Sequence, residues 1–359
     1  MTDAETLALA QDLIRIDTSH GGEESALDHI AVILERAGFD IAWVPWRPGR
    51  PNLVARWLGG GPLTLAAHLD TVPFDAAGWS VDPLGGEIVD GRLYGRGSSD
   101  MKAGAAAMIH AAVDAAREGC PPFTAVFTSA EETGCHGAAA VAASGLLAPR
   151  PILIVGEATD NSLRFGHKGA TWLELVVHGR AAHGSRPELG RNALTPLAEA
   201  ILALRDLPAP EPHAFLGART TNVGTIAGGQ QTNLVPDRGS MTVDVRTAPG
   251  HTTSDIVGLL ETTSGGTVEI ALEVPSVWTD PSSDISRAVA RVVTDVTGAG
   301  PDGVGVSYFT DGAVLADPVN PLVFIIGPGG IDQPHTVDES CEIARIAEAT
   351  RIYGALLRG

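Results

Sequence analysis

Short apolar runs recur along the chain and alternate with longer stretches in which apolar residues return at helical spacing. "LTLAA" from Leu63, "FTAVFTSA" from Phe123, "PILIVG" from Pro151 and "PLVFIIG" from Pro321 read as buried strands. "DMKAGAAAMIHAAVDAAREG", starting at Asp100, reads as a helix that Gly119 and Pro121 bring to a stop. "DISRAVARVVTDVTG" from Asp284 is a second helical stretch. Strand–helix alternation of this kind predicts an α/β layer, with helices on both faces of a mostly parallel sheet.

The middle of the chain has a different rhythm. Leu173, Leu175 and Val177 share one face of "TWLELVVHG", and Leu194, Leu197, Ile201 and Leu204 fall at helical spacing. "TTNVGTIAGG" and "GSMTVDVRTAP" read as strands, "TTSDIVGLLETT" as a short helix, and "TVEIALEVP" alternates from Val268 to Val274. The order β-α-β-β-α-β is that of a small split βαβ, ferredoxin-like unit. The expected organisation is therefore one α/β domain formed by residues 1–166 and 278–359, interrupted by an inserted domain at 167–277.

Composition narrows the partners. With 43 acidic against 24 basic residues the net charge is −19, so nucleic acid and anionic membranes are excluded as partners. The N-terminal stretch lacks the basic start and apolar run of a signal peptide. The three cysteines, Cys120, Cys135 and Cys341, are scattered without a CxxC pair, as in a reducing cytoplasm. A cytoplasmic location is the expectation.

Chemistry gathers where the predicted strands end. "LTLAA" leads to His68 and Asp70, "FTAVFTSA" to Glu131 and Glu132, "PILIVG" to Glu157, and "PLVFIIG" through a turn to His335. Asp100 closes the Gly-rich "YGRGSSD" just before the long helix. Ligands of open α/β sheets bind at the carboxyl ends of strands, so these residues are expected to converge. Each has an ordinary reading: a surface histidine, a helix N-cap at Asp100, a solvated EE pair. Four strands ending alike are much harder to assign to chance.

Two histidines and several carboxylates without a thiolate suit zinc or a similar first-row divalent ion. Five ligands are too many for one catalytic zinc, which keeps an open position. Dividing His68, Glu157, Glu132 and His335 between two ions, with Asp100 bridging, gives each ion three. Asp70 is then placed to accept the free ring N–H of His68, and Glu131 to act as general base.

"HLDTVP", "GRGSSDMK", "EETG", "GEAT" and "PHTVDE" resemble, in order, the signature blocks of the co-catalytic zinc amidohydrolases. That family includes acetylornithine deacetylase, succinyl-diaminopimelate desuccinylase, aminoacylase and glutamate carboxypeptidase. The resemblance implies two Zn2+ per subunit, with Co2+ or Mn2+ as substitutes, and the same roles for the seven residues above. It implies a non-proline cis peptide at Asp100–Met101. It also implies that His183 in "GRAAHGSRPELG" approaches the scissile carbonyl. Arg246 would bind a substrate carboxylate, and Asn233 in "QQTNLVPD" would lie near that group. A homodimer formed through the inserted lid domain is implied as well. Glu at position 157 goes in the family with deacylases and carboxypeptidases, which favours a small-molecule N-acyl-amino acid as substrate. The segment "YFTDGAVLAD" departs from the blocks of both typical desuccinylases and typical acetylornithine deacetylases. A short peptide, cleaved by a carboxypeptidase or dipeptidase, remains open, as do a non-catalytic metal-binding protein and an α/β protein without metal.

Overall fold

The computed structural model describes residues 1–301 and 303–359. The chain divides into two compact units: Met1–Gly166 with Val277–Gly305 and Thr310–Gly359, and His167–Ser276 with Val306–Phe309. The short segment Val306–Phe309 was expected in the first domain. It belongs to the second because the Lys168 N–H donates to the carbonyl of Val306, pinning it there. Its sequence carries no periodicity that would have announced this excursion.

The first unit is built on a six-stranded sheet. In spatial order its strands are Asp40–Arg47, Arg50–Trp57, Phe123–Thr128, Leu63–His68, Ile152–Val155 and Val323–Ile325. The last four run parallel, and the first two form a hairpin that joins the sheet antiparallel. The parallel strands are largely apolar because both of their faces are covered. Phe123, Phe127 and Phe324 are among the largest buried side chains; burial of each contributes about 1.5–3 kcal/mol.

The helix Ala103–Arg117 buries every residue except Asp114 and Arg117. A helix with so narrow a polar face is a core element, and its alanines allow close approach to the sheet. At Gly104 the approach is closest: a Cβ there would lie 2.5 Å from the carbonyl oxygen of Gly156, the residue before Glu157. Asp100 does not cap this helix, as its sequence position suggested it could. The helix starts at Ala103, after an irregular turn over Ser98–Lys102 in which Asp100–Met101 is cis.

In the second unit the strands lie in the order Thr220–Gly228, Arg238–Thr247, Gly169–His178 and Thr267–Val274, all antiparallel. This is the split βαβ arrangement, with the helices Leu194–Asp206 and Ser254–Ser264 supplying Leu197, Leu204, Ile256 and Leu260 to its core. Among the described residues no helix is long and apolar enough to cross a membrane.

Gly104→Ala forces the helix away from the end of the Ile152–Val155 strand. An overpacking cost of about 1–3 kcal/mol is expected in urea unfolding; an unchanged midpoint would mean that the helix can shift freely.

Candidate metal centre

Parallel strands deliver their C-terminal ends to one edge of the sheet, and this topology brings the candidate residues of the first unit together. His68 is the last residue of its strand. Glu131 and Glu132 follow Ala130, whose φ of +59° turns the chain sharply beyond the Phe123–Thr128 strand. Glu157 follows Ile152–Val155 by one glycine. His335 itself sits at φ +65°, in the left-handed region that non-glycine residues occupy mainly where surroundings impose it.

Two groups of ligand atoms result. One is His68, Asp100 and Glu157; the other is Asp100, Glu132 and His335; within each, the ligand atoms all lie within 4.8 Å of one another. Asp100 is common to both and divides its oxygens between them. Its Oδ1 lies 2.9 Å from His68 Nε2 and its Oδ2 lies 3.4 Å from His335 Nε2. His68 Nε2 is also 3.3 Å from Glu157 Oε1, and His335 Nε2 is 3.1 Å from Glu132 Oε2. All four contacts use Nε2, the nitrogen that a bound cation would claim from both rings. The donor set is nitrogen and carboxylate oxygen throughout, as first-row divalent ions prefer.

Asp70 behaves differently from the sequence expectation. The nearest acceptor to His68 Nδ1 is the main-chain carbonyl of Asp70, at 3.0 Å, while its carboxylate Oδ1 stands at 3.6 Å. The carboxylate instead accepts the backbone N–H groups of Glu131 (3.0 Å) and Glu132 (3.2 Å). One residue thus orients the imidazole with its backbone and the Glu131–Glu132 turn with its side chain. Arg50, forked on the fully buried Glu23, brings Nη2 to 3.7 Å from Asp70 Oδ2. Neither Arg50 nor Glu23 was foreseen, because a charged residue at a hairpin turn or in a first helical turn reads as surface. Asp311 was also missed: it is buried and accepts the Thr128 hydroxyl.

Burial dominates the electrostatics. It raises Glu131 well above the usual carboxylate range, with His68 opposing and Glu132 and Glu157 adding to the rise. Burial, then the Asp100 charge, raises Glu157 to about 7. His68 is raised well above its ordinary value although burial opposes it, because Asp100, Asp70 and Glu157 hold its proton.

The remaining candidates lie in the second unit. His183 Nδ1 accepts the backbone N–H of Ser185 at 3.1 Å, which leaves the ring's proton on Nε2. Asn233 neighbours it, its carbonyl accepting the Gly184 N–H at 2.7 Å. Arg246 forks Asp244 through Nε (2.9 Å) and Nη2 (3.0 Å) and stands 5.6 Å from the Phe309 ring centroid. The three cysteines are free and buried.

A family model described as peptidase family M20/M25/M40 matches residues 64–359. The chain belongs to this family. It is a hydrolase acting on amide bonds. It is similar to a succinyl-diaminopimelate desuccinylase of Rhodospirillum centenum, 33% identical, with 98% of this chain and 96% of that protein covered. A probable carboxypeptidase of Aspergillus terreus is also 33% identical, over 99% of this chain and 87% of its own length. Among solved structures, an M20 family metallo-carboxypeptidase from Sulfolobus solfataricus shares the fold. Its TM-score is 0.82 at 18% identity, with 99% of this chain and 98% of that one covered.

In metal-free protein the raised groups bind protons more tightly folded than unfolded. For Glu157 that stabilisation is complete below its ordinary 4.5 and lost as pH rises through about 7. Chelator-stripped protein of this M20 family member is thus expected to lose thermal stability from about pH 5 to about pH 8. Added Zn2+, displacing those protons, should restore the melting temperature most at the upper end. A stripped protein that becomes more stable across that range would contradict the shifts.

Proposed function

We propose that this M20 family member is a deacylase that hydrolyses the amide bond of an N-acyl-L-amino acid at a di-zinc centre. The observation that carries the reading is the division of Asp100 between His68 and His335, with Glu131 buried beside them. His68 and Glu157 would hold one ion, Glu132 and His335 the other, and Asp100 both. Zinc fits the nitrogen and carboxylate donors, and Co2+ or Mn2+ would substitute. Bound there, the ions supply Lewis acidity and lower the pKa of water toward about 7.

Glu131 takes a proton from the attacking water as its oxygen bonds to the amide carbon. It delivers that proton to the departing nitrogen as the C–N bond breaks. A carboxyl raised by burial suits a group that must first gain and then release a proton. Among the described residues, no protein hydrogen bond ties up the Glu131 carboxylate, whereas each oxygen of the Asp70 carboxylate accepts a backbone N–H. Asp70 holds His68 and the Glu131–Glu132 turn in place.

The second unit contributes by its chemistry. His183, kept as the Nε2–H tautomer, is a donor for the carbonyl oxygen as negative charge develops; one such donor is worth about 2.7–4 kcal/mol. Arg246 takes the substrate α-carboxylate by charge-assisted hydrogen bonds, and Asn233 serves the same group. A carboxypeptidase acting on short peptides is the second reading. The relative named a probable carboxypeptidase, equal in identity to the desuccinylase, favours it.

A homodimer through the second unit is part of the proposal. Thr220–Gly228 is a sheet edge of nine residues without a charged side chain, exposed along most of its length, with Ile226 52% exposed. The other edge, Thr267–Val274, carries Glu269 and Glu273, the kind of charge that guards an edge against pairing. The unguarded edge is the one suited to meet its own copy. No nucleic acid or membrane partner is proposed, and the proposed location is the cytoplasm.

The decisive assay follows amine release from N-acetyl, N-succinyl and other N-acyl amino acids, with dipeptides alongside, by zinc-loaded protein. Turnover of acyl-amino acids is expected. Cleavage of dipeptides alone would replace the deacylase by the peptidase reading. Glu131→Gln should lower kcat by about 10²–10⁴ with metal content unchanged; near-normal turnover would remove Glu131 from the base role. Sedimentation should show a dimer that Thr221→Lys with Ile226→Lys, both at exposed positions of that edge, converts to a folded monomer. A dimer that survives both changes must pair elsewhere.

A further inference from the structure

Glu339 lies four residues beyond His335, and its side chain is fully buried. Its Oε1 accepts the backbone N–H groups of Ser99 at 2.8 Å and Asp100 at 3.0 Å. Its Oε2 accepts the N–H of Gly97 at 3.2 Å and Nη1 of Arg96 at 2.6 Å. A carboxylate offers about four acceptor sites, and here all are filled from one loop. The main chain adds to the clasp: the Glu339 carbonyl accepts the Gly95 N–H at 2.9 Å, and the Ser340 carbonyl accepts the Ser99 hydroxyl at 2.9 Å.

The loop so held is the one that presents Asp100. No other buried carboxylate described above spends all its acceptors on backbone and arginine donors. Glu339 also shares a short stretch of chain with His335, the histidine facing Asp100 Oδ2. A single side chain therefore ties the bridging aspartate to the loop carrying the other ring. Arg96 balances its charge and stands 5.2 Å over the Trp79 ring, which fixes the guanidinium from the far side. Gly97, at φ +83°, lets the loop pass: a Cβ there would lie 2.7 Å from Thr71 Cγ2.

We propose that Glu339 is the positioning residue of the centre: by clasping the Gly97–Asp100 backbone it sets Asp100 against His335, and so the spacing of the two metal positions. It touches neither metal nor substrate and acts through Asp100. The inference rests on the di-metal reading above.

Mn2+ titration of the intact protein, followed by electron paramagnetic resonance, separates the two. The wild-type chain should bind two equivalents with a spin-coupled signal. Binding of one or none would overturn the di-metal reading and this inference with it. In Glu339→Gln one acceptor oxygen becomes an N–H donor and faces donors of the loop. With two equivalents bound in the wild type, the variant should hold its second equivalent at least about tenfold more weakly. Its coupled signal should shrink, and kcat should fall with KM little changed. Wild-type affinity and coupling with only a lower melting temperature would reduce Glu339 to a structural residue. If that variant does not fold, Arg96→Met removes one donor from Oε2 and leaves the three backbone bonds. It should shift affinity and coupling in the same direction by less, and unchanged coupling would overturn the inference.

Discussion

A carboxylate shared between two histidines is the constraint on which the rest of the first unit depends. Asp100 has one oxygen toward His68 and the other toward His335, Glu132 and Glu157 stand around it, and Glu131 is buried near both of those. Burying so many like charges together is costly unless cations are present. Protons meet part of that need in the metal-free state, which is why Glu131 and Glu157 are raised and His68 is held protonated. Divalent ions meet it better, because they bring the charge without neutralising the ligands.

The supports around this centre share a logic. Asp70 spends its carbonyl on one ring and its carboxylate on the Glu131–Glu132 backbone, while Arg50 and Glu23 stand behind it. The sheet places the ligands in register, since His68 pairs with Thr128 across adjacent parallel strands. Glycine permits the close approaches: Gly104 meets the Gly156 carbonyl, and Gly327 has that same carbonyl 2.1 Å from where its Cβ would be. Substitutions at such positions reach the ligands through the backbone rather than by contact.

Much of this was legible in the sequence because it follows from periodicity. Strands such as "FTAVFTSA" and "PLVFIIG" are apolar because both faces are covered, so a polar residue just past each one stands out. The helix Leu194–Asp206 and the strands around it were readable for the same reason. What was not legible depends on distant partners. The hairpin Asp40–Arg47 and Arg50–Trp57 has a mixed burial pattern, with Val44 the one buried residue of its first strand, and so carries no clean period. The cis bond at Asp100 came from the family resemblance alone, since no local pattern encodes it. Glu23 and Asp311 are buried charges, and Arg50 a half-buried one, whose surroundings are decided by chain far away in sequence.

In the proposed role of Arg246, the second unit would carry a constraint on selectivity. Arg246 already spends Nε and Nη2 on Asp244, two residues away on the same face of its strand. In that proposed role, a substrate carboxylate would either take Nη1 or displace Asp244, and displacement would exchange one ion pair for another with little net Coulombic gain. A guanidinium held in this way rewards the placement of a carboxylate more than its charge. The ordering of His183 follows the same principle: the Ser185 N–H fixes the tautomer, so in the proposed role of His183 no reorganisation would be required as charge develops. Neighbours in sequence, a short polar residue beside each candidate side chain, thus order Arg246 and His183 within the second unit, whereas the order of the metal centre in the first unit comes from long-range contacts.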